Sequence, residues 1–592
     1  MDKGVLIGSR RSDGHGDGAT ESNNVPTYSL KRSAGESAVE RLNRGVSQGL
    51  RALGYGLPLY RQRLKGRHPL QLLASPNDPV GGDIERGMEI LSGKLVYGGE
   101  DVSLISDFLW EDVARRSEGF IAYVHGFRWL NDLAAVPDQA EARRFAENII
   151  QRWVDKFDLW HPVTWTPDLT GSRLINWIVH APLTLASSDL IYRSAVLNKM
   201  AHQARHLSRT LRDSKTGLPS VKASAGLAVA GLLLPGADAL QSRGIRTLEL
   251  MMEHLILSDG GPLTRVPSDA VQIMRLLVII KFAYREVSRP TPAWVQVTLD
   301  RLAPFVRGMR HGDGLLARFN GASEVRGACV DSILAASDAR GRAVENASNV
   351  GYQRLKKRRT TVIMDTGAPT AGDMSLEASA GTLSFELSDG KDPLVVNMGT
   401  ANPVGEFAAM ARLGRTTAAH STLVIDDKNS TRINEDGRLG YGVNEVQVCR
   451  RETTRDVEVA ARHDGYGKVF DCLHERILSL AADGRTLTGE DRVVPLGPEA
   501  KDRVAEVRFH LHPSVKAVPI QNGEAIIIRL PSGHGWQFRV SGGRMTLVDD
   551  LFMAAPYKPV RSTQIVATLD GGNDMDTRNL LWSFERIDES PN

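Results

Sequence analysis

The chain is poor in cysteine: Cys329, Cys449 and Cys472 are the three among 592 residues. They are odd in number and far apart, which excludes a disulfide framework or a paired-cysteine zinc site. Long apolar runs are missing too. The most apolar one, Leu227 to Ala237, is broken by Pro235 and falls short of the roughly 20 residues a membrane span needs, so it reads as a buried helix. Neither charge dominates. The 73 Lys and Arg stand against 70 Asp and Glu, a formal net charge of +3, which gives no general attraction to nucleic acid or anionic lipid. Residues 1–30 hold no apolar core of signal-peptide length and are rich in Gly, Ser, Asn and Asp. A structureless tail is therefore expected over 1–44. By sequence alone the protein reads as cytoplasmic.

Two halves with different periods make up the rest. From 45 to 340 the apolar residues recur at i, i+3, i+4, as in "LINWIVHAPLTLA" and "AVQIMRLLVIIKFAYREV". Breakers such as "DSKTGLPS" and "LSDGGP" separate these runs, so many antiparallel helices with short connections are expected. Near Asn346 the period becomes two. "TLSFELSDG", "EVRFHLHP" and "RMTLVDD" alternate, and Asp483-Gly484 is a hairpin signal between two such runs. An antiparallel β-sandwich is expected over 341–592.

Several strings then carry a resemblance. "GYQRL", "TLSFELS", "VVNMG", "TTAAHSTLVID" and "RHDGYGKVFDCLHERILSLAADGRTLTGED" resemble those of the heparinase II/III-like proteins, from about Trp110 to the end of the chain. The resemblance implies a multidomain α+β protein, an incomplete (α/α) toroid followed by an antiparallel β-sandwich. It implies a lyase that removes the C5 proton of a uronate in an acidic polysaccharide, expelling the 4-linked sugar. Such chemistry needs a group to neutralise the uronate carboxylate, a base at C5 and an acid at the leaving oxygen. It also implies a periplasmic or cell-envelope location.

The chain departs from that family pattern at several positions. Where the family carries His-x-His-x-Asp before the "LSFEL" strand, this chain has Glu377, Ser379 and Gly381. The acidic zinc ligand of the next strand is replaced by Asn397, which leaves His420 alone of the zinc set. One imidazole and one carboxamide do not make a zinc site, so no metal or other cofactor is expected. Pro262 stands where a histidine would follow Gly260-Gly261, and Asp269 stands near the position of a catalytic tyrosine.

His420 and Tyr466 are the catalytic candidates. Asn176, Arg173, Arg265, Trp129 and His463 are the candidates for binding substrate, because guanidinium forks match carboxylates and aromatic faces suit sugars. Each also has a plain structural reading, as a packed strand histidine, a turn or a core tryptophan. His474 with Arg476 suggests a solvated or inter-domain strand face, and His510 with His512 a two-residue chelate lacking a third ligand. Three functions follow: a lyase of an acidic glycan, a glycan-binding or envelope-assembly protein that has lost lyase chemistry, and a glycoside hydrolase. Oligomeric state is left open.

Overall fold

A computed structural model describes residues 27–32, 38–322, 325–399, 408–497, 503–554, 558–571 and 577–587. The first half is a toroid of helices. Its long members are Gln139–Lys156, Pro167–Val179, Leu190–Thr210, Leu218–Leu233, Asp238–Leu255, Pro267–Glu286 and Ala293–Gly308. Leu218–Leu233, which contains the start of the apolar run, is buried along most of its length. Gly171 and Gly226 explain how closely it sits against Pro167–Val179. A Cβ on Gly226 would lie 2.3 Å from the Cα of Gly171, so the two backbones touch where any side chain would separate them.

The second half is two nine-stranded sheets, antiparallel at every described pairing, packed face to face around one apolar core. One sheet runs in the order Thr27–Lys31, Glu445–Glu452, Asp456–His463, Cys472–Ala481, Thr486–Pro495, Arg578–Ile587, Gly535–Ser541, Ala525–Arg529, Lys516–Ile520. The hairpin expected at Asp483-Gly484 joins Cys472–Ala481 to Thr486–Pro495, with Gly484 at φ +69°. The last long helical segment ends at Ala336, and the first sandwich strand starts at Asn346.

The N-terminal expectation needs correction. Thr27–Lys31 is a strand that pairs with Glu445–Glu452 across more than 400 residues of sequence, and a helix starts at Ala38. Alternation in "TYSLK" was too short a signal to separate from a polar tail. Residues 1–26 and 33–37 of the expected tail lie outside the described residues.

The two halves are joined by buried polar ties. Arg265 follows Gly260-Gly261 and has φ +62°, a strained conformation for a side chain. Its guanidinium donates to the carbonyls of Val350 (2.8 Å), Gly367 and Ala368 (both 3.1 Å) and pairs with the Asp365 carboxylate. Its own carbonyl accepts from Tyr352 Oη at 2.6 Å. A second tie runs from His311, whose Nε2 donates to Glu386 at 3.1 Å while Nδ1 accepts from Ser388 Oγ at 2.8 Å.

Arg265→Met should cost about 3–5 kcal/mol, because it leaves the Asp365 carboxylate buried without its cation. Urea unfolding should lose its single transition, with the toroid and sandwich melting apart. A single transition at unchanged midpoint would show that the tie carries no weight.

Candidate functional site

His420 ends a short 3-10 turn, Thr417–Ala419, and lies inside the protein at 3 % exposure. Its Nδ1 donates to the Thr416 carbonyl at 2.7 Å, so Nε2 carries the lone pair. Gly381 covers its face, and a Cβ there would lie 2.4 Å from the imidazole Cδ2. Burial pushes the ring's pKa down to about 4, and nearby His510 adds to this, so the imidazole is neutral at pH 7. Asn397 is committed on both sides: Oδ1 accepts from the Ser421 N–H and Nδ2 donates to Glu386. These donors do not fit a zinc ion. Among the described residues no group of three or more His, Cys, Asp or Glu is arranged to hold a metal.

Tyr466 is 1 % exposed, and its hydroxyl donates to the Leu423 carbonyl at 2.9 Å. Burial raises its pKa above that of an ordinary phenol, so it stays protonated. His463 begins a buried chain of hydrogen bonds. Its Nδ1 accepts from Gly465 N–H, which leaves Nε2–H to donate to His474 Nδ1 at 3.3 Å. His474 Nε2–H then donates to Asp491 at 2.8 Å. Asp491 also takes Arg476 at 2.8 and 3.0 Å and Trp582 Nε1 at 2.8 Å. Burial alone would raise the Asp491 pKa; Arg476 and His474 hold it down at about 2. The expected solvated face at His474 and Arg476 is corrected by this network, since both side chains are at 0 % exposure. The strand is covered by the second sheet, which period-two alternation cannot reveal. His510 and His512 are not brought onto a common ion either: His510 pairs with Asp550 and His512 bonds Ser514.

In the toroid, Arg173 donates to Gln203 Oε1 (2.7 Å), His125 O (2.9 Å) and Thr164 O (3.0 Å), and stacks 4.2 Å over Trp153. Asn176 Nδ2 donates to Gly126 O at 2.7 Å, and Trp129 is a core side chain at 0 % exposure. Arg173 and Asn176 thus grip the His125–Gly126 backbone just before Arg128, which is exposed.

Between the halves lies a group of charges from separate elements, most of them at least partly exposed. Asp168 and Asp269 lie in the first turns of Pro167–Val179 and Pro267–Glu286, and Lys222 near the start of Leu218–Leu233. Each of these helices has a proline in its first turn, where the missing N–H costs nothing. Glu377 comes from the sandwich side and is exposed; Lys222 and Asp168 are half-buried. Lys222 feels Arg128, Asp168, Asp269 and Glu377, and Glu377 also feels Arg415 and Lys215. Asp269 is 7 % exposed, and its Oδ2 accepts from Thr264 Oγ1 at 2.8 Å. Burial and the Glu377 charge raise its pKa to about 7, against the pull of Thr264 and Lys222. Burial also lowers Lys222. Two of these carboxylates, Glu377 and Asp269, are those that the resemblance sets at a family histidine position and near a tyrosine position. Lys222 was missed because "PSVKASAG" reads only as a helix start.

Comparison with known proteins agrees with this architecture. Residues 339–583 match the family described as heparinase II/III-like, C-terminal. The FtsZ-localized protein C of Caulobacter vibrioides is 32 % identical over 504 residues, covering 82 % of this chain and 85 % of that protein. A crystal structure of heparinase III superposes with a TM-score of 0.68 at 13 % identity, covering 95 % of this chain and 93 % of that one. A heparan sulfate lyase mutant from Pedobacter heparinus gives 0.59 at 16 % identity, covering 94 % and 92 %. At such identities the two structures establish the fold.

The neutral interior of His420 has a pH consequence. A folded pKa near 4 against about 6.5 unfolded means the unfolded chain binds the extra proton. Stability from this residue is complete above pH 6.5 and is lost as pH falls toward 4, by roughly 3 kcal/mol in total. Urea midpoints taken from pH 7 to 4 should fall less steeply for His420→Gln than for the native protein. Parallel slopes would place the proton elsewhere.

Proposed function

The chain belongs to the heparinase II/III-like family, and from that premise we propose that it binds a glycan between toroid and sandwich without cleaving it, as an assembly protein of the cell envelope. One observation carries this reading: His420 and Tyr466 are 3 % and 1 % exposed, with the imidazole N–H and the phenol O–H turned onto main-chain carbonyls inside the protein. A base must reach the C5 proton and an acid the leaving oxygen, and the Nε2 lone pair of His420 and the Tyr466 hydroxyl both lie inside the protein, away from where a substrate could meet them. The charges of Arg128, Asp168, Lys222 and Glu377 are accessible instead, and they suit hydrogen bonding to sugar hydroxyls. The relative's name ties that protein to FtsZ, and the proposal carries the same localisation to this chain. Incubation with a panel of uronate polysaccharides should show retention on the immobilised glycan with no rise in near-ultraviolet absorbance and no new reducing ends. A rise in absorbance would restore elimination, and new reducing ends alone would restore hydrolysis.

A second reading concerns a surface and rests on one helix. No helix among the described residues is long and apolar enough to cross a membrane. Ala38–Tyr55, however, is attached by its polar side. Gln48 Nε2 donates to Asp213 O, Arg51 pairs with the Asp213 carboxylate at 2.6 Å, and Tyr55 Oη donates to it at 3.1 Å. The apolar side points outward, with Val46, Leu50 and Leu53 exposed by 56, 66 and 73 % at i, i+4, i+7, followed by Leu57 at 58 % and Leu59 at 68 %. From Arg41 to Arg67 the sequence holds seven Lys and Arg and no Asp or Glu. An outward apolar stripe inside a basic segment suits the surface of an anionic bilayer. The protein should sediment with phosphatidylglycerol vesicles and not with phosphatidylcholine vesicles, and Leu50→Glu with Leu53→Glu should abolish this. Unchanged sedimentation of the double variant would rule the helix out.

A further inference from the structure

The outer strands of the two sheets are mostly blunted against pairing with another chain. Thr27–Lys31 and Asn346–Ala347 are short, and Lys516–Ile520 carries Pro519. Gly543–Ala554 differs. It has 12 residues and no proline, and it is paired on one side, with Lys558–Leu569. Two hydrogen bonds fix which way its main chain points. The Gly542 carbonyl accepts from Asp570 N–H at 3.1 Å, so even-numbered residues turn their main-chain groups toward Lys558–Leu569. Met553 N–H donates to the Met398 carbonyl at 2.9 Å, away from that strand, so odd-numbered residues turn theirs outward. The register runs without a shift from Gly543 to Ala554, which keeps this alternation along the strand. Among the described residues nothing accepts from the N–H, or donates to the C=O, of Met545, Leu547 or Asp549. On the face away from the core, Arg544 and Thr546 are exposed and Val548 is 37 % exposed. Asp550 follows them there, half-buried, with Oδ2 on His510 Nδ1 at 2.6 Å and Oδ1 accepting from Gln564 at 3.4 Å.

We propose that this open edge pairs with the same edge of a second copy of the chain, so that two sandwiches share one continuous antiparallel sheet across a two-fold axis. The occupant follows from charge complementarity. When two identical strands pair about a two-fold axis, facing residues have numbers of constant sum, and outward-turned main-chain groups must meet outward-turned ones. Centring the pair on Leu547 meets both conditions. Leu547 then faces Leu547 of the second copy, Met545 faces Asp549, Thr546 faces Val548, and Arg544 faces Asp550. The axis makes each unlike pair twice. A guanidinium and a carboxylate directly across two strands attract, and like charges there repel. Moving the centre one residue either way sets Arg544 against Val548 or Phe552 and loses both ion pairs. Centring on Asp549 sets that carboxylate against its own copy. Asp550 can keep His510 and Gln564, because each carboxylate oxygen accepts more than one hydrogen bond. A foreign strand would need an acid and a base at the same spacing in reverse order, which a second copy supplies by symmetry. The pairing uses neither the glycan site nor the N-terminal helix.

The test is sedimentation equilibrium of the full-length protein from about 1 to 100 µM, the range in which a specific contact of modest size is half-formed. The native chain should pass from monomer to dimer. Asp549→Pro removes an outward N–H and leaves the pairing with Lys558–Leu569 intact, so it should stay monomeric with an unchanged urea midpoint. Arg544→Glu changes an exposed residue and should weaken the dimer about tenfold or more, and it decides the matter where the proline variant does not fold. Register is read from a double variant, Thr546→Cys with Val548→Cys. These positions face each other as a pair without main-chain hydrogen bonds, where Cα atoms come to about 4.5 Å, so oxidation should link two copies. The native protein, with its three cysteines, should not be linked. A chain that stays monomeric throughout overturns the proposal, whatever other protein the edge captures. A dimer that survives both Asp549→Pro and Arg544→Glu overturns it too, because the contact then lies elsewhere. So does a dimer of the double cysteine variant that forms no disulfide.

Discussion

The Arg265 guanidinium decides how the two halves of this protein meet. It is carried by the helical half, in a left-handed backbone conformation that a side chain adopts only under constraint, and its donors are all consumed by the sandwich half. A buried guanidinium is tolerable only when every donor is satisfied. The toroid therefore cannot rotate or withdraw without exposing an unpaired charge on either side of the junction. Everything that lies between the halves, Lys222 and Glu377 above all, inherits its separation from that anchor.

The same principle of full satisfaction explains what became of the expected catalytic groups. Arg173, Asn176, His420 and Tyr466 are polar residues deep in the protein, and each has been turned into framework by a main-chain carbonyl. Burial keeps the imidazoles neutral: His125 is driven down to about 3 and His420 to about 4. The Asp491 centre is a second such core, where one carboxylate orders Arg476, His474 and Trp582 and, through His474, fixes His463. The buried network ties four neighbouring strands of one sheet together, while the accessible charges come from helix starts and a turn.

Two solvent-facing features remain once the interior is accounted for, and they obey opposite logic. The junction between the halves gathers the charges of Asp168, Lys222, Asp269 and Glu377, which act on one another from separate elements. The N-terminal helix exposes leucines that would be more stable buried, held there because Asp213 grips its polar side.

Periodicity alone determined the order of the two halves, the switch from helix to strand near Asn346, the buried character of the Leu227–Ala237 run and the hairpin at Asp483-Gly484, because each of these is decided by neighbours within a few residues. The motif departures at Glu377, Asn397 and Asp269 were equally visible. Tertiary structure alone decided which polar side chains are free. A histidine on an alternating strand reads the same whether its face meets water or a second sheet, and that difference separates His474 at 0 % exposure from a solvated residue. The strand Thr27–Lys31 and the surroundings of Lys222 were illegible for a related reason: one depends on a partner strand more than 400 residues away, the other on a helix crossing at Gly171. Local sequence carries the period of an element, and only the packed chain says what lies opposite it.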